Sequence, residues 1–111
     1  DERFTAVPLV LADGYKVMVL SFREDQFIPV HVPDVDLLGI VLSGQGYSEI
    51  GGECIQLETG VMFGASRGVS RGIYGQDDLI VLAYVSPLPG PDDHRGVETG
   101  LQNNQFRPPT G

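Results

Sequence analysis

The sequence predicts an all-β protein, an antiparallel sandwich or barrel, from three observations. Its apolar segments are short, glycine-containing turns separate them, and the stretch from residue 38 to residue 63 leaves no room for a helix. The 15 glycines among 111 residues are about twice the usual frequency, which suits a fold of tight turns. A chain of this length is expected to form one domain around one core.

The first third of the chain predicts a hairpin followed by an extended segment. Residues 5–12 indicate an edge strand, because a proline interrupts them. Asp13 and Gly14 form a strong tight-turn signal, and residues 15–22 then supply the second strand of the hairpin. Residues 27–33 are expected to be extended, since each of their two prolines biases the preceding residue away from the helical region.

The middle of the chain predicts short strands separated by turns. Residues 38–42 are an apolar run that ends in the turn-like sequence 43–46. Residues 47–50 and 53–57 flank a Gly-Gly turn, and a further turn leads into residues 61–63.

The last third predicts two more strands and then a change of character. Residues 71–74 indicate a short strand and residues 75–78 a turn. Residues 79–85 are the most continuous apolar run, which favours a central strand buried on both faces. Five of the eight prolines follow residue 86. We therefore predict a barrel over residues 1–86 and a Pro/Gly-rich C-terminal arm over residues 87–111, packed on the barrel or on a partner subunit.

The charge balance argues against two classes of partner. Seven basic and fifteen acidic residues give a net charge of −8, and Lys16 is the only lysine. A nucleic-acid surface needs clustered positive charge, and an anionic membrane surface is disfavoured for the same reason. No apolar stretch approaches the roughly 20 residues of a membrane helix. We therefore expect neither a nucleic-acid partner nor a membrane partner.

Cys54 is the sole cysteine, so no intrachain disulfide is possible. This favours a reducing compartment, and we expect a cytoplasmic location. Because Cys54 lies in a predicted strand, we expect a buried and inert thiol.

The order of these elements resembles a cupin, a small β-barrel of the jelly-roll type. Residues 28–46, IPVHVPDVDLLGIVLSGQG, look like the first cupin motif. Residues 51–60, GGECIQLETG, look like the hairpin between the motifs, and residues 60–78, GVMFGASRGVSRGIYGQDD, look like the second motif. The resemblance covers roughly two thirds of the chain by matched elements. It implies an antiparallel jelly-roll β-barrel.

The resemblance also implies where a metal would be held, since cupins use three histidines and one glutamate. The first histidine is His31, the second falls on Pro33, the glutamate falls on Leu37 or Leu38, and the last histidine falls on Arg71. Proline and leucine donate nothing to a metal, and a guanidinium stays protonated. A mononuclear site needs at least three good donors, so we expect no metal cofactor.

A divalent transition metal is the alternative, held by non-standard ligands. His31 would then combine with Asp34 or Asp36 and with His94 from the arm. These residues have no recognisable ligand spacing.

We predict that His31 and Arg71 project into the barrel among apolar side chains, which is the usual composition of a small-molecule pocket. The planar guanidinium of Arg71 suits a carboxylate. Tyr47 and Asp36 are the further candidates for ligand contact. In the competing interpretation, Arg71 points outward or pairs with Asp36, and His31 is a hydrogen-bonded core residue.

Three function classes remain open at this point. The first is a soluble protein that binds a small organic ligand without a metal, and the ligand is expected to carry a carboxylate because Arg71 favours an anion. The second is a metal-dependent enzyme of isomerase, lyase or dioxygenase type, in which His31 is available as a general base. The third is a structural barrel without a ligand. We also expect a homodimer in which the N-terminal strand or the arm crosses to the partner, because open sheet edges are normally paired or covered.

Overall fold

The computed structural model describes residues 3–87, 97, 100–101 and 104–107, and antiparallel strands make up most of this part of the chain. The strands are β1 (Thr5–Leu11), β2 (Lys16–Phe22), β3 (Phe27–His31), β4 (Asp36–Ile50), β5 (Glu53–Glu58), β6 (Met62–Ala65) and β7 (Arg71–Ser86). Their order in the sheet is β1-β2-β7-β4-β5, with β3 paired to β7 and β6 paired to β4. The predicted all-β class is confirmed. Within the described ranges, no helix has the length and apolar character needed to cross a membrane.

The two longest strands, β4 and β7, belong to both halves of the barrel. Leu37–Ile40 of β4 pair with β6, and the same end of β4 pairs with the C-terminal end of β7. The other end of β4 pairs with β5 and with the N-terminal end of β7, which also pairs with β3. β2 pairs with residues 79–85 of β7. One half is therefore β1-β2-β7-β4-β6, and the other is β3-β7-β4-β5.

Two bulges, one in β4 and one in β7, divide these strands between the two halves of the barrel. The sequence pattern predicted turns at both places. Residues 43–46 and residues 75–78 lie inside β4 and β7, opposite each other, and the register shifts there. Gly44 has a φ of +82°, and a Cβ at this position would collide with the backbone oxygens of Asp77 and Asp78. The predicted turns at these two places are wrong, because backbone pairing continues through the bulges and bends both strands together.

The core lies between the two halves and draws on β2, β4, β5, β6 and β7. Its buried members are Leu20, Phe22, Val41, Leu57, Phe63, Ile73, Leu79, Val81 and Ala83. β7 does not bury both faces as predicted, since Tyr84 is 39% exposed. Residues of β7 alternate, so that one face enters the core and the other points outward.

Cys54 corrects another expectation, because its side chain is exposed. On β5 the inward positions are those of Ile55 and Leu57, and Cys54 therefore faces outward.

The described residues of the C-terminal arm contact the second half of the barrel. The backbone N–H of Val30 donates a hydrogen bond to the carbonyl of Phe106 at 2.6 Å. Arg107 forms an ion pair with Glu49, with Nε 2.7 Å from Oε2. Val97, Gly100 and Leu101 are helical, which the proline-rich composition did not predict. The remainder of the predicted arm, including 88–96, lies outside the described residues.

Candidate functional site

A cavity of about 200 Å³ lies between the two halves of the barrel. Its walls are mainly apolar and come from both halves, so the two halves together form the pocket. The apolar side chains that line it include Phe4, Met18, Leu20, Ile28, Val35, Leu37, Ile73, Val85 and Val97.

His31 and Arg71 both line this cavity, and they are direct cross-strand partners on β3 and β7. Nδ1 of His31 lies 2.8 Å from the carbonyl oxygen of Pro29. A carbonyl oxygen only accepts hydrogen bonds, so Nδ1 carries the proton in this contact. In the neutral ring, Nε2 is then the nitrogen that carries the lone pair.

The backbone of the preceding loop holds the Arg71 side chain in place. Nη2 donates to the carbonyl of Ser66 at 2.7 Å and to that of Val69 at 3.2 Å. Nε also donates to the carbonyl of Val69, at 3.2 Å. The residue is only 4% exposed, so a fixed positive charge lies at the cavity wall. Arg71 is therefore turned inward and not toward Asp36.

Lys16 is a cavity residue that the sequence interpretation missed. It lines the cavity from β2, two and four residues before Met18 and Leu20. Strand alternation could have identified it, because these three positions share one face. Among the lining residues that the structure describes, His31, Lys16 and Arg71 are the groups able to carry positive charge, and there is no aspartate or glutamate.

Asp36 and Tyr47 do not line the cavity, so the prediction that they contact a ligand there is wrong. Asp36 is exposed, and its Oδ1 accepts a hydrogen bond from the backbone N–H of Arg67 at 2.8 Å. Its neighbour Leu37 occupies the inward position. Tyr47 lies between the buried positions of Gly46 and Ser48, so its ring faces outward.

Tyr47 instead belongs to an aromatic row on the outside of the second half, formed by Phe27, Tyr74 and Tyr47. Tyr74 stacks on Tyr47 with ring centroids 5.1 Å apart and on Phe27 at 5.8 Å. Phe106 of the arm meets the row edge-on, 5.6 Å from both Tyr47 and Tyr74. Burial raises the pKa of the Tyr47 hydroxyl above its ordinary value, although the nearby Arg107 opposes the shift.

The four positions that correspond to cupin metal ligands come together around the cavity. His31, Pro33, Leu37 and Arg71 all line it, whereas Leu38 is 48% exposed, so Leu37 is the counterpart of the glutamate. Three of the four side chains therefore supply no metal donor, and the set does not fit a mononuclear metal.

The alternative metal ligands find no support among the residues described. That part of the chain contains no group of three or more His, Cys, Asp or Glu side chains placed to hold a metal ion. Asp34 accepts a hydrogen bond from Nε of Arg67 at 3.3 Å. His94, the remaining candidate, lies outside the described residues.

No family model matches the sequence, and no curated protein sequence matches it. Solved structures do match the fold. An RmlC-like cupin protein from Desulfovibrio desulfuricans aligns with a TM-score of 0.68 and 25% identity, covering 77% of this chain and 83% of that chain. An RmlC-like cupin from Shewanella frigidimarina aligns with a TM-score of 0.74 and 17% identity, covering 78% of each chain. The salicylate 1,2-dioxygenase of Pseudaminobacter salicylatoxidans aligns with a TM-score of 0.70 and 16% identity over 75% of this chain and 26% of that chain.

Proposed function

Since the chain has the cupin fold, we propose that its barrel cavity binds a small organic carboxylate without a metal. The observation that carries this proposal is the buried guanidinium of Arg71, fixed at the wall of a mainly apolar cavity. Two backbone carbonyls orient it, so little side-chain freedom is lost when a ligand binds. The guanidinium offers charge-assisted hydrogen bonds to a carboxylate.

The cavity volume limits the ligand to a small molecule. A cavity of about 150 Å³ accommodates benzene. The volume of about 200 Å³ found here therefore suits a compact carboxylate of about the size of benzoate. The apolar walls would contact the hydrocarbon part of the ligand, and the charged group would lie toward Arg71.

The preference for an anion must arise locally. The net charge of −8 repels anions at a distance. Within the cavity, Arg71 and Lys16 provide positive charge, and His31 adds a further charge when it is protonated. A hydrogen bond to a charged group contributes about 1.5–3 kcal/mol, which is roughly a ten- to hundredfold gain in affinity.

Isothermal titration with benzoate and with benzyl alcohol tests this proposal. The wild type should bind benzoate more tightly, and Arg71→Ala should weaken benzoate binding roughly ten- to hundredfold and remove the preference over the alcohol. Arg67→Ala is the matched control, because Arg67 lies in the same loop with a side chain 52% exposed and pairs with Asp34. Measuring both ligands on Arg71→Ala distinguishes two causes of weaker binding. Loss of the charge weakens benzoate binding alone, whereas loss of folding weakens the binding of both ligands.

Two outcomes contradict the proposal. Equal affinity of the wild type for benzoate and benzyl alcohol excludes a carboxylate site. An equal loss of benzoate affinity in Arg67→Ala and Arg71→Ala shows that the anion is attracted by the loop and not held in the cavity.

A further inference from the structure

The cavity has permanently cationic side chains on two different walls. Arg71 comes from the second half of the barrel, where it pairs with His31 of β3. Lys16 comes from the first half, at the start of β2, and lines the same cavity. Because packed sheets lie about 10 Å apart, one small molecule between the two halves can contact both side chains.

The register of the first half determines where Lys16 stands in the cavity. Val85 of β7 pairs with Lys16 on one side and with Leu37 of β4 on the other. These three residues form one cross-strand row, and all of them line the cavity. Neighbouring strands are about 4.8 Å apart, which places the backbone of Lys16 roughly 10 Å from that of Leu37. Lys16 is therefore separate from the positions that correspond to cupin metal ligands.

Within the part of the chain that the structure describes, no acidic side chain compensates the charge of Lys16. The described lining residues include no aspartate or glutamate. The ion pairs between described residues join other side chains. Lys16 is half-buried, and most of its neighbours in the cavity wall are apolar. A charge that is removed from water in this way is stabilised by an anionic partner, which the ligand can supply.

We propose that the cavity takes a compact dicarboxylate, with one carboxylate on Arg71 and the second on Lys16. This inference rests on the proposed function and adds a second anionic group to the ligand. The ammonium group is a point charge on a flexible stem, so it can follow a second carboxylate over a range of positions. The apolar lining suits the hydrocarbon that joins the two carboxylates.

The size of the cavity suggests suitable probes. A cavity of about 150 Å³ accommodates benzene, so the volume of about 200 Å³ leaves space for a ring with two small polar groups. Isophthalate and terephthalate each add one carboxylate to benzoate, at two different separations. The monoamide of each diacid has nearly the same shape and lacks the second charge.

Isothermal titration of the wild type compares each diacid with its monoamide. An ionic strength of about 0.15 M limits the influence of remote charges, because the Debye length is then about 8 Å. At least one diacid should bind about tenfold or more tightly than its monoamide, which is the gain from one charge-assisted contact. Lys16→Met should abolish this difference and change benzoate affinity less than about threefold, because methionine keeps the apolar stem and removes the charge.

Two further variants serve as controls. Arg23→Met changes the net charge by the same amount at an exposed residue that follows the other end of β2, and it should preserve the preference for the diacid. Lys16→Arg retains the positive charge and should preserve the preference as well. Circular dichroism monitors the folding of each variant, and Lys16→Gln supplies a second neutral side chain if Lys16→Met does not fold.

The possible failures are distinguishable. If the wild type binds each diacid no more tightly than its monoamide, the dicarboxylate is excluded, and tight binding of benzoate still supports the proposed function. A diacid preference that persists in Lys16→Met also overturns the inference, because the second carboxylate is then held elsewhere. If the wild type binds neither benzoate nor either diacid, the proposed function fails together with this inference.

Discussion

The hydroxyl of Tyr74 illustrates how one side chain makes stability depend on pH. It donates a hydrogen bond to Oδ1 of Asp25 at 2.7 Å. This hydrogen bond, burial and the charge of Asp25 raise the pKa of Tyr74 to about 12. An unperturbed tyrosine has a pKa of about 10, so the folded state holds this proton more tightly than the unfolded state. The resulting stabilisation is complete below pH 10 and is lost as the pH rises from about 10 to about 12.

Tyr74→Phe should therefore have two effects. It should lower the free energy of unfolding by about 1 kcal/mol at pH 7, because one hydrogen bond is lost. It should also make the decline of stability between pH 9 and pH 11.5 less steep than in the wild type. Urea unfolding at a series of pH values measures both effects. Tyr15→Phe, on the other half of the barrel beside Tyr84, serves as the control. Identical slopes for the wild type and Tyr74→Phe would show that this hydroxyl does not contribute.

Single residues also show how far strand alternation can be used on a sequence. His31 and Arg71 were expected inside the barrel, and both line the cavity. Cys54 and Tyr47 face outward instead. A one-residue error in the predicted phase of a strand assigns each side chain to the wrong face, which accounts for the difference. The phase of β4 could not be followed from its first half to its second, since the bulge between them adds an unpaired residue.

At the scale of strands, the paired bulges of β4 and β7 depend on one glycine. Gly44→Ala should destabilise the protein by at least about 3 kcal/mol, because a left-handed φ and a collision with backbone oxygens act together. Gly14→Ala is the control, since a Cβ there meets no atom within 4 Å. It should change stability by less than about 1 kcal/mol. Thermal unfolding of both variants gives the comparison, and similar melting temperatures would contradict the role assigned to Gly44.

The sequence could not distinguish these bulges from turns. Glycines at positions 44 and 46 provide the same local signal in both cases. The difference lies in the partner strand, since Ser43, Gln45 and Gly46 pair with Ile80, Asp77 and Gly75 across the register shifts. Such pairing over some 30 residues of intervening chain has no local signal, whereas the hairpin turn at Asp13 and Gly14 does.

The attachment of the arm to the barrel depends on Phe106. Phe106→Ala should cost about 2 kcal/mol, through the loss of edge-on contacts with the aromatic row. It should also speed hydrogen exchange at the Val30 amide, which is bonded to the Phe106 carbonyl. Arg107→Ala removes an ion pair whose Arg107 side chain is 59% exposed, and it should cost less than about 1 kcal/mol. Unchanged Val30 protection in Phe106→Ala would show that other contacts hold the arm.

At the scale of the whole molecule, the order of strands and turns was sufficient to predict the cupin fold. Solved cupins share that fold at low sequence identity, down to 17% for the Shewanella frigidimarina protein. The order of elements does not specify the chemistry in the cavity, because individual side chains at positions 31, 33, 37 and 71 determine it.

Replacement of the side chains at positions 33, 37 and 71 tests whether donors at these positions can bind a metal together with His31. Arg71→His alone should bind no stoichiometric metal, because Pro33 and Leu37 still supply no donor. The triple variant Pro33→His/Leu37→Glu/Arg71→His places four donors around one cavity and should gain a transition metal. Elemental analysis of protein purified without chelator measures the metal content. A stoichiometric metal in the wild type that His31→Ala abolishes would contradict the metal-independent site and favour the metal-dependent enzyme.

The paired bulges of β4 and β7 also determine where the chain length can vary. A residue added to the exposed turn at Gly51 and Gly52 changes a connection and leaves the pairing of both strands intact. A residue added or deleted between positions 75 and 78 would instead rotate every following side chain of β7 to the opposite face. Val81 and Ala83, which are now buried, would then turn outward. Insertions and deletions should therefore be tolerated at the hairpin ends and rejected in the middle of the two longest strands.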